Sequence, residues 1–299
     1  MKTVVLCPGQ GSQFVGMGKE LAESSAAARE TFQEANEALG FDLQTLLFEG
    51  PEDELTQTKN TQPAILAHTI AAYRDAQERG LVATAAAGHS LGEYSAYVIA
   101  KSLSFEDALR LVRIRGELMY DAGLSRPGTM AAILGLDASA VEEICASVSD
   151  GVVCPANINS PAQVVISGDP SAVEAAMKVA SDKGAKRVVP LNVSGAFHSP
   201  LMEPAANGLR DALREVEVQT AAIPVVANAT AQVVQEPDAI RESLAQQVLS
   251  PVRWNASVVQ LAKDPGGPFM EVGPGKVLRG LMRAIDRSLE VKTLADLDA

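Results

Sequence analysis

Residues 85–96 read AAAGHSLGEYSA, and within them Gly88, Ser90 and Gly92 form a G-x-S-x-G spacing. That spacing constrains the fold more than any other stretch. A strand turning sharply into a helix at such a serine needs glycines on either side, because the turn crowds the backbone, and it projects the hydroxyl from the top of an α/β sheet. The flanks agree: GLVATAAAG predicts a strand and LGEYSAYVIA a helix. The alanines are poor strand formers, so the strand assignment rests on context. In this geometry the amide of the next residue, Leu91, points at a developing oxyanion.

The remaining pattern is also α/β. KTVVLCP predicts a short buried first strand, and GQGSQ a tight turn after it. Helical patterns fill most of 17–39 and 60–79, and Ser104 reads as the N-cap of a long helix, SFEDALRLVRIRGELMYDAG, with Asp107 as its capping-box partner. From about 125 to 195 the order becomes β-α-β-β-α-β, the split arrangement of a ferredoxin-like unit. Alternation resumes after 196, with a helix start at Ser199-Pro200, a strand at IPVVANAT, helices over 238–249 and 251–263, a strand at FMEV and a helix at KVLRGLMRAID. The expected organisation is a large parallel-sheet subdomain over 1–124 and 196–299, with a small ferredoxin-like subdomain inserted over 125–195.

Bulk composition removes several function classes. No apolar run approaches the roughly 18 residues of a membrane helix, and the N-terminal apolar run is shorter than a signal-peptide core of about 7–15 residues. The net charge is −12, opposite to that of a duplex nucleic-acid binder. Cys7, Cys145 and Cys154 are odd in number and lack C-x-x-C spacing. They predict buried, inert thiols in a reducing cytoplasm. No metal-ligand cluster is visible.

A serine nucleophile needs a base, and the chain has three histidines. His68 lies in the apolar helix PAILAHTIAAY and reads as packed structure. His89 adjoins Ser90, so its side chain should project elsewhere. His198, in NVSGAFHSP, lies in a loop over the strand ends, where α/β sites form. Arg115 poses a different question. Its neighbours three and four residues away are Leu111, Val112, Leu118 and Met119, which places it on the apolar stripe of its helix. Arg110 and Arg113 instead have Glu106 and Glu117 four residues away and read as solvated. A buried guanidinium must be paired; its partner is either an internal carboxylate or a substrate carboxylate held bidentately. PGQGSQ is not a nucleotide loop, since Phe14 stands where G-x-G-x-x-G needs its third glycine and no G-K-[ST] follows.

The blocks PGQGSQFVGMG, TQPAILAHTIA, GHSLGEYSA, NSPAQVVISG, GAKRVVPLNVSGAFHSPLM, PVRW and EVGPGKVL, with the arginine-bearing helix among them, occur in that order. Through them the chain closely resembles the malonyl-CoA:acyl carrier protein transacylases over about residues 4–285. The resemblance implies an α/β-hydrolase-like large subdomain and ping-pong transfer of malonyl from malonyl-CoA to the phosphopantetheine thiol of an acyl carrier protein, for fatty acid or polyketide synthesis. It implies Ser90 as nucleophile, His198 as general base, and the Gln10 and Leu91 amides as oxyanion hole. Arg115 would pair with the malonyl carboxylate and Phe197 would favour malonyl over branched groups. The Gln247 carbonyl would orient His198 in a dyad with no acidic third member. No metal or redox cofactor is implied, and the expectation is a cytoplasmic monomer. Carrier proteins are acidic, so a local basic patch is expected among Lys186, Arg187, Lys276, Arg279 and Arg283, near the cleft between subdomains. The alternative is a serine esterase or thioesterase of α/β-hydrolase type, whose acid would come from Asp150, Asp169 or Asp182. A non-catalytic carrier-binding module fits worse, since nucleophile, base and carboxylate clamp are all present.

Overall fold

The computed structural model describes residues 1–297, and two sheets organise them. The first is built from β1 (Lys2–Cys7), β2 (Val82–Gly88), β7 (Val225–Val226), β8 (Phe269–Glu271) and β9 (Val291–Lys292), in the order β7-β2-β1-β8-β9. Every pairing in it is parallel. The second is built from β3 (Thr129–Leu134), β4 (Val153–Ser160), β5 (Gln163–Gly168) and β6 (Arg187–Pro190), in the order β4-β5-β3-β6, all antiparallel. The helices Ala138–Ser147 and Pro170–Asp182 complete the β-α-β-β-α-β order.

Parallel strands covered on both faces are apolar throughout rather than alternating, and β1 and β2 follow this rule. Val5, Cys7 and Ala86 pack into one core, while Val4, Leu6, Ala85 and Ala87 pack into the other, against Trp254. The period of two along each strand thus feeds both layers. The alanines of β2 succeed as a strand because β1 and β7 pair with it on either side. The two sheets meet where Val252 bridges to the β4 edge, its amide bonding the Ala156 carbonyl and its carbonyl receiving the Ile158 amide.

The turn from β2 into the helix Gly92–Ile99 shows why both glycines are needed. A Cβ on Gly88 would lie 1.9 Å from the Gly92 carbonyl carbon, and one on Gly92 would lie 2.1 Å from the Cys7 carbonyl oxygen. Both obstructions are backbone and cannot rotate away. Gly92→Ala is expected to destabilise the protein by about 1–3 kcal/mol through overpacking, read as a lower urea midpoint at unchanged m-value.

Most expected elements form, with local differences. The helix expected over 17–39 is broken at Ser25, which ends Lys19–Ser24 and caps Ala26–Leu39 through its hydroxyl. Ser104 caps Phe105–Ser125, accepting the Asp107 amide at 3.0 Å. Ser199 starts a single 3-10 turn, Pro200–Met202, ahead of the helix Glu203–Arg214. The strand expected at IPVVANAT shrinks to two residues, and the last strand of the β-α-β-β-α-β unit, Arg187–Pro190, has four. The thiols need correction too: Cys7 and Cys145 are buried, but Cys154 is only half-buried, because its strand lies at the edge of the antiparallel sheet. No helix among the described residues is long and apolar enough to cross a membrane.

Candidate active site

Ser90 and His198 both sit at positive φ, 51° and 58°. Non-glycine residues rarely adopt that region, and such strain persists only where the surroundings impose it. At Ser90 the imposing contacts are visible. The Asn228 side chain accepts the Ser90 amide at 2.6 Å and donates to the Gly88 carbonyl at 2.7 Å, clamping both sides of the turn. Leu91 is the N-cap of the helix that follows, so its amide has no carbonyl of that helix to bond.

His198 reaches the serine from the far side of the chain. Its Nε2 lies 2.8 Å from Ser90 Oγ, and its Nδ1 lies 2.9 Å from the Gln247 carbonyl and 3.2 Å from the Ser250 carbonyl. Carbonyls only accept, so Nδ1 carries the proton and Nε2 presents its lone pair to the serine hydroxyl. Backbone oxygens hold the ring where a hydrolase triad would use a carboxylate. None of the aspartates considered for the esterase reading fills that place. Asp169 pairs with Arg126 and accepts the Val152 amide, while Asp150 and Asp182 are exposed.

Arg115 is 1% exposed. Its NH1 donates to Gln62 Oε1 at 2.7 Å, and its NH2 to Gln247 Oε1 at 3.0 Å and to Ser90 Oγ at 3.2 Å. Among the described residues its Nε has no hydrogen-bond partner, and no carboxylate bonds it directly. The sequence left two partners open for this cation, and a directly bonded internal carboxylate is not one the structure provides. Two neutral amide oxygens orient the guanidinium beside the nucleophile, and the Glu93 carboxylate acts on its charge through space without bonding it. The expected contrast holds for Arg110, which pairs with Glu106 at the surface, but only in part for Arg113, which pairs with Glu117 yet is half-buried against the Lys59 carbonyl, Asn60 and the Phe41 ring.

These groups border a cavity of about 120 Å³ between the two sheets. Gln10, His89, Ser90, Leu91, Arg115 and His198 line one side, and Met130, Asn157, Leu191, Val193 and Phe197 enclose the other. A larger hollow of about 460 Å³, among Tyr73, Arg74, Lys101 and Phe105, contains none of these groups. His89 does turn away from the serine, as expected, but stays in the site: its Nε2 lies 2.8 Å from Asn159 Oδ1. His68 packs in its helix, where burial pushes it down to about 4.

Desolvation shapes the protonation states. Burial, reinforced by the Arg115 cation, pushes His198 down to about 3. A base so depressed stays neutral, and able to accept a proton, well below the usual histidine range. Sulfonylation of Ser90 by phenylmethylsulfonyl fluoride, a neutral reagent, is therefore expected to keep its rate from pH 7.5 down to pH 5. Half-loss near pH 6.5 would show an ordinary histidine. Burial also pushes Glu93 up to about 7, opposed by hydrogen bonds from Gln247 and the Asn228 amide and by Arg115.

Gln10, Ser90, Leu91, Arg115, Phe197 and His198 line this cavity and Gln247 bonds into it, whereas His68, the three aspartates and the basic side chains named for carrier docking lie outside it. Sequence reasoning missed Gln62, Glu93, Asn228 and Ser250. Gln62 and Glu93 carried only part of the signal that marked Arg115, since their neighbours three and four residues on are apolar or aromatic but those before them are Thr58, Lys59, His89 and Ser90. Asn228 and Ser250 carried none, because their partners are 138 and 52 residues away.

Comparison with known proteins places this geometry among relatives. The family model described as "Acyl transferase domain" matches residues 4–296. The malonyl CoA-acyl carrier protein transacylase of Bacillus subtilis (strain 168) is 47% identical over 297 residues, 99% of this chain and 94% of the relative. That of Escherichia coli (strain K12) is 45% identical over 294 residues, 98% and 95% of the two chains. The crystal structure of the acyl-carrier-protein-S-malonyltransferase of Bartonella henselae superposes with a TM-score of 0.95 at 43% identity, covering 100% of this chain and 98% of that one. A malonyl-transacylase solved in complex with a type II PKS acyl-carrier protein superposes with a TM-score of 0.95 at 42% identity, again covering 100% and 98%.

Proposed function

Because the chain belongs to the acyl transferase family, we propose that it transfers malonyl from malonyl-CoA to the phosphopantetheine thiol of an acyl carrier protein, through an ester on Ser90. The observation that carries this reading is the placement of Arg115. Its NH2 lies 3.2 Å from Ser90 Oγ. An acyl group attached at Ser90 reaches that cation with a carboxylate close to its ester carbonyl carbon, as in malonyl. A neutral-ester hydrolase has no use for a buried cation with no directly bonded carboxylate there, so the esterase alternative is not favoured.

The chemistry follows from the hydrogen bonds. His198 Nε2 takes the proton as Ser90 Oγ attacks the thioester carbonyl carbon. The Gln10 and Leu91 amides receive the negative charge that forms on the carbonyl oxygen. The intermediate collapses, the C–S bond breaks, and His198 returns its proton to the coenzyme A thiolate. The carrier thiol then repeats the sequence in reverse on the malonyl-serine ester. The imidazolium is stabilised by the Gln247 and Ser250 carbonyls, 2.9 and 3.2 Å from Nδ1. The chain itself supplies nucleophile, base and clamp, so this sequence of steps calls on no metal or redox cofactor. Phe197 narrows the cavity against branched acyl groups.

Residues 125–195 act as the small subdomain that closes over the ester and limits water. The acidic carrier docks on local basic side chains. Lys186, Arg187, Lys276 and Arg283 are exposed and Arg279 is half-buried, and the helix Val277–Ile285 packs against β4, beside the junction of the two sheets. The steady-state test varies malonyl-CoA against holo carrier protein. Parallel double-reciprocal lines and malonylated carrier are expected. Release of free malonate in step with coenzyme A would contradict the reading.

A further inference from the structure

Glu93 touches neither the cavity nor the reacting atoms, yet it is fully buried, three residues after the nucleophile. Its Oε2 accepts from Gln247 Nε2 at 2.7 Å and from the Asn228 amide at 3.0 Å. Gln247 Nε2 also donates to the Ser90 carbonyl at 2.9 Å, while its Oε1 accepts from Arg115 at 3.0 Å.

A glutamine side chain can face either way, and its two ends do opposite things. An ionised carboxylate only accepts, as does the Ser90 carbonyl. Together they draw the NH2 end of Gln247 toward themselves and turn its oxygen to Arg115. With the amide reversed, Gln247 would set N–H against the guanidinium N–H groups and oxygen against the carboxylate. The arrangement also keeps Glu93 one side chain away from the arginine. A direct Glu93–Arg115 ion pair would cancel the charge an incoming carboxylate needs, whereas an interposed amide orients the cation and leaves it open.

We propose that Glu93 is a positioning residue for acyl-group specificity, fixing the Gln247 amide so that Arg115 is held ready for the substrate carboxylate. This rests on Arg115 reading the malonyl carboxylate, as argued above. Glu93 also steadies the Ser90 turn, through Gln247 Nε2 on the Ser90 carbonyl and through the Asn228 amide, but that support is common to both acyl groups, so the malonyl-to-acetyl ratio isolates its effect on Arg115.

The test measures kcat/KM for malonyl-CoA and for acetyl-CoA at pH 8, where the carboxylate is ionised. A Gln at 93 offers both donor and acceptor, so it no longer dictates the Gln247 orientation. Glu93→Gln is expected to lower the malonyl-to-acetyl ratio by about tenfold or more, the scale of one charge-assisted hydrogen bond. Gln247→Met removes the amide but keeps the backbone carbonyl, and is expected to lower the ratio similarly; it decides the matter if Glu93→Gln does not fold. In an Arg115→Ala background, Glu93→Gln should leave the ratio unchanged. Equal losses on both substrates, or an unchanged ratio in both single variants, would overturn the proposal. If Arg115→Ala itself left the ratio unchanged, the carboxylate reading would fail, an outcome visible apart from the result at Glu93.

Discussion

Arg115→Ala is expected to slow malonyl loading of the enzyme by about 10²–10³-fold, because removing one member of a buried, hydrogen-bonded charge pair costs on the order of 3–5 kcal/mol. Acetyl loading should be retained or increased. Acetyl brings no charge to meet the cation, and truncation removes a donor that holds Ser90 Oγ at 3.2 Å. The opposite signs matter more than the size of either change. A general disturbance of the core, where Arg115 is among the largest fully buried side chains, would depress both substrates. Single-turnover loading with each thioester, on protein with a verified cooperative unfolding transition, separates the two. A parallel fall in both rates would place Arg115 in the scaffold rather than the clamp.

His198→Ala is expected to lower the acylation rate by about 10²–10⁴-fold, the usual contribution of a positioned general base. The affinity for malonyl-CoA should change little, since Arg115 and the oxyanion amides remain. The loss should fall in kcat and not be recovered by raising pH to 9, because among the described residues Arg115 is the one other titratable group within hydrogen-bond distance of Ser90 Oγ. Rapid-quench acylation at saturating malonyl-CoA reads this directly. A rate within tenfold of wild type would mean that another group takes the serine proton.

How much could be read beforehand depended on whether the cause was local. The Ser90 turn was legible because the crowding that demands Gly88 and Gly92 arises within a few residues of the serine. Arg115 was legible because a period of 3.6 placed a cation on an apolar stripe, and burial of charge has few explanations. The β-α-β-β-α-β order was legible because most of its elements are long enough to show a period and are bounded by turn residues, the exception being β6 at four residues. β7 and β9, at two residues each, are too short to have a period, and only their partners define them. The helices Leu43–Glu49 and Glu52–Leu55 went unread, being too short to carry much pattern. The network that holds the site was largely illegible for another reason. Asn228, Gln247 and Glu93 meet across 135 to 154 residues of chain, and nothing in the neighbourhood of one residue announces the others. The resemblance supplied the Gln247 backbone carbonyl; the side-chain amide linking Glu93 to Arg115 came only with the fold.

The central claim is a malonyl ester on Ser90 that a carrier thiol then removes. Intact mass spectrometry tests it most directly, on wild type and Ser90→Ala, after brief exposure to malonyl-CoA and again after adding holo carrier protein. One malonyl adduct is expected on wild type, none on Ser90→Ala, and transfer of that mass to the carrier on its addition. An adduct that persists in Ser90→Ala, or a wild-type adduct that leaves only as free malonate when the carrier is present, would contradict it.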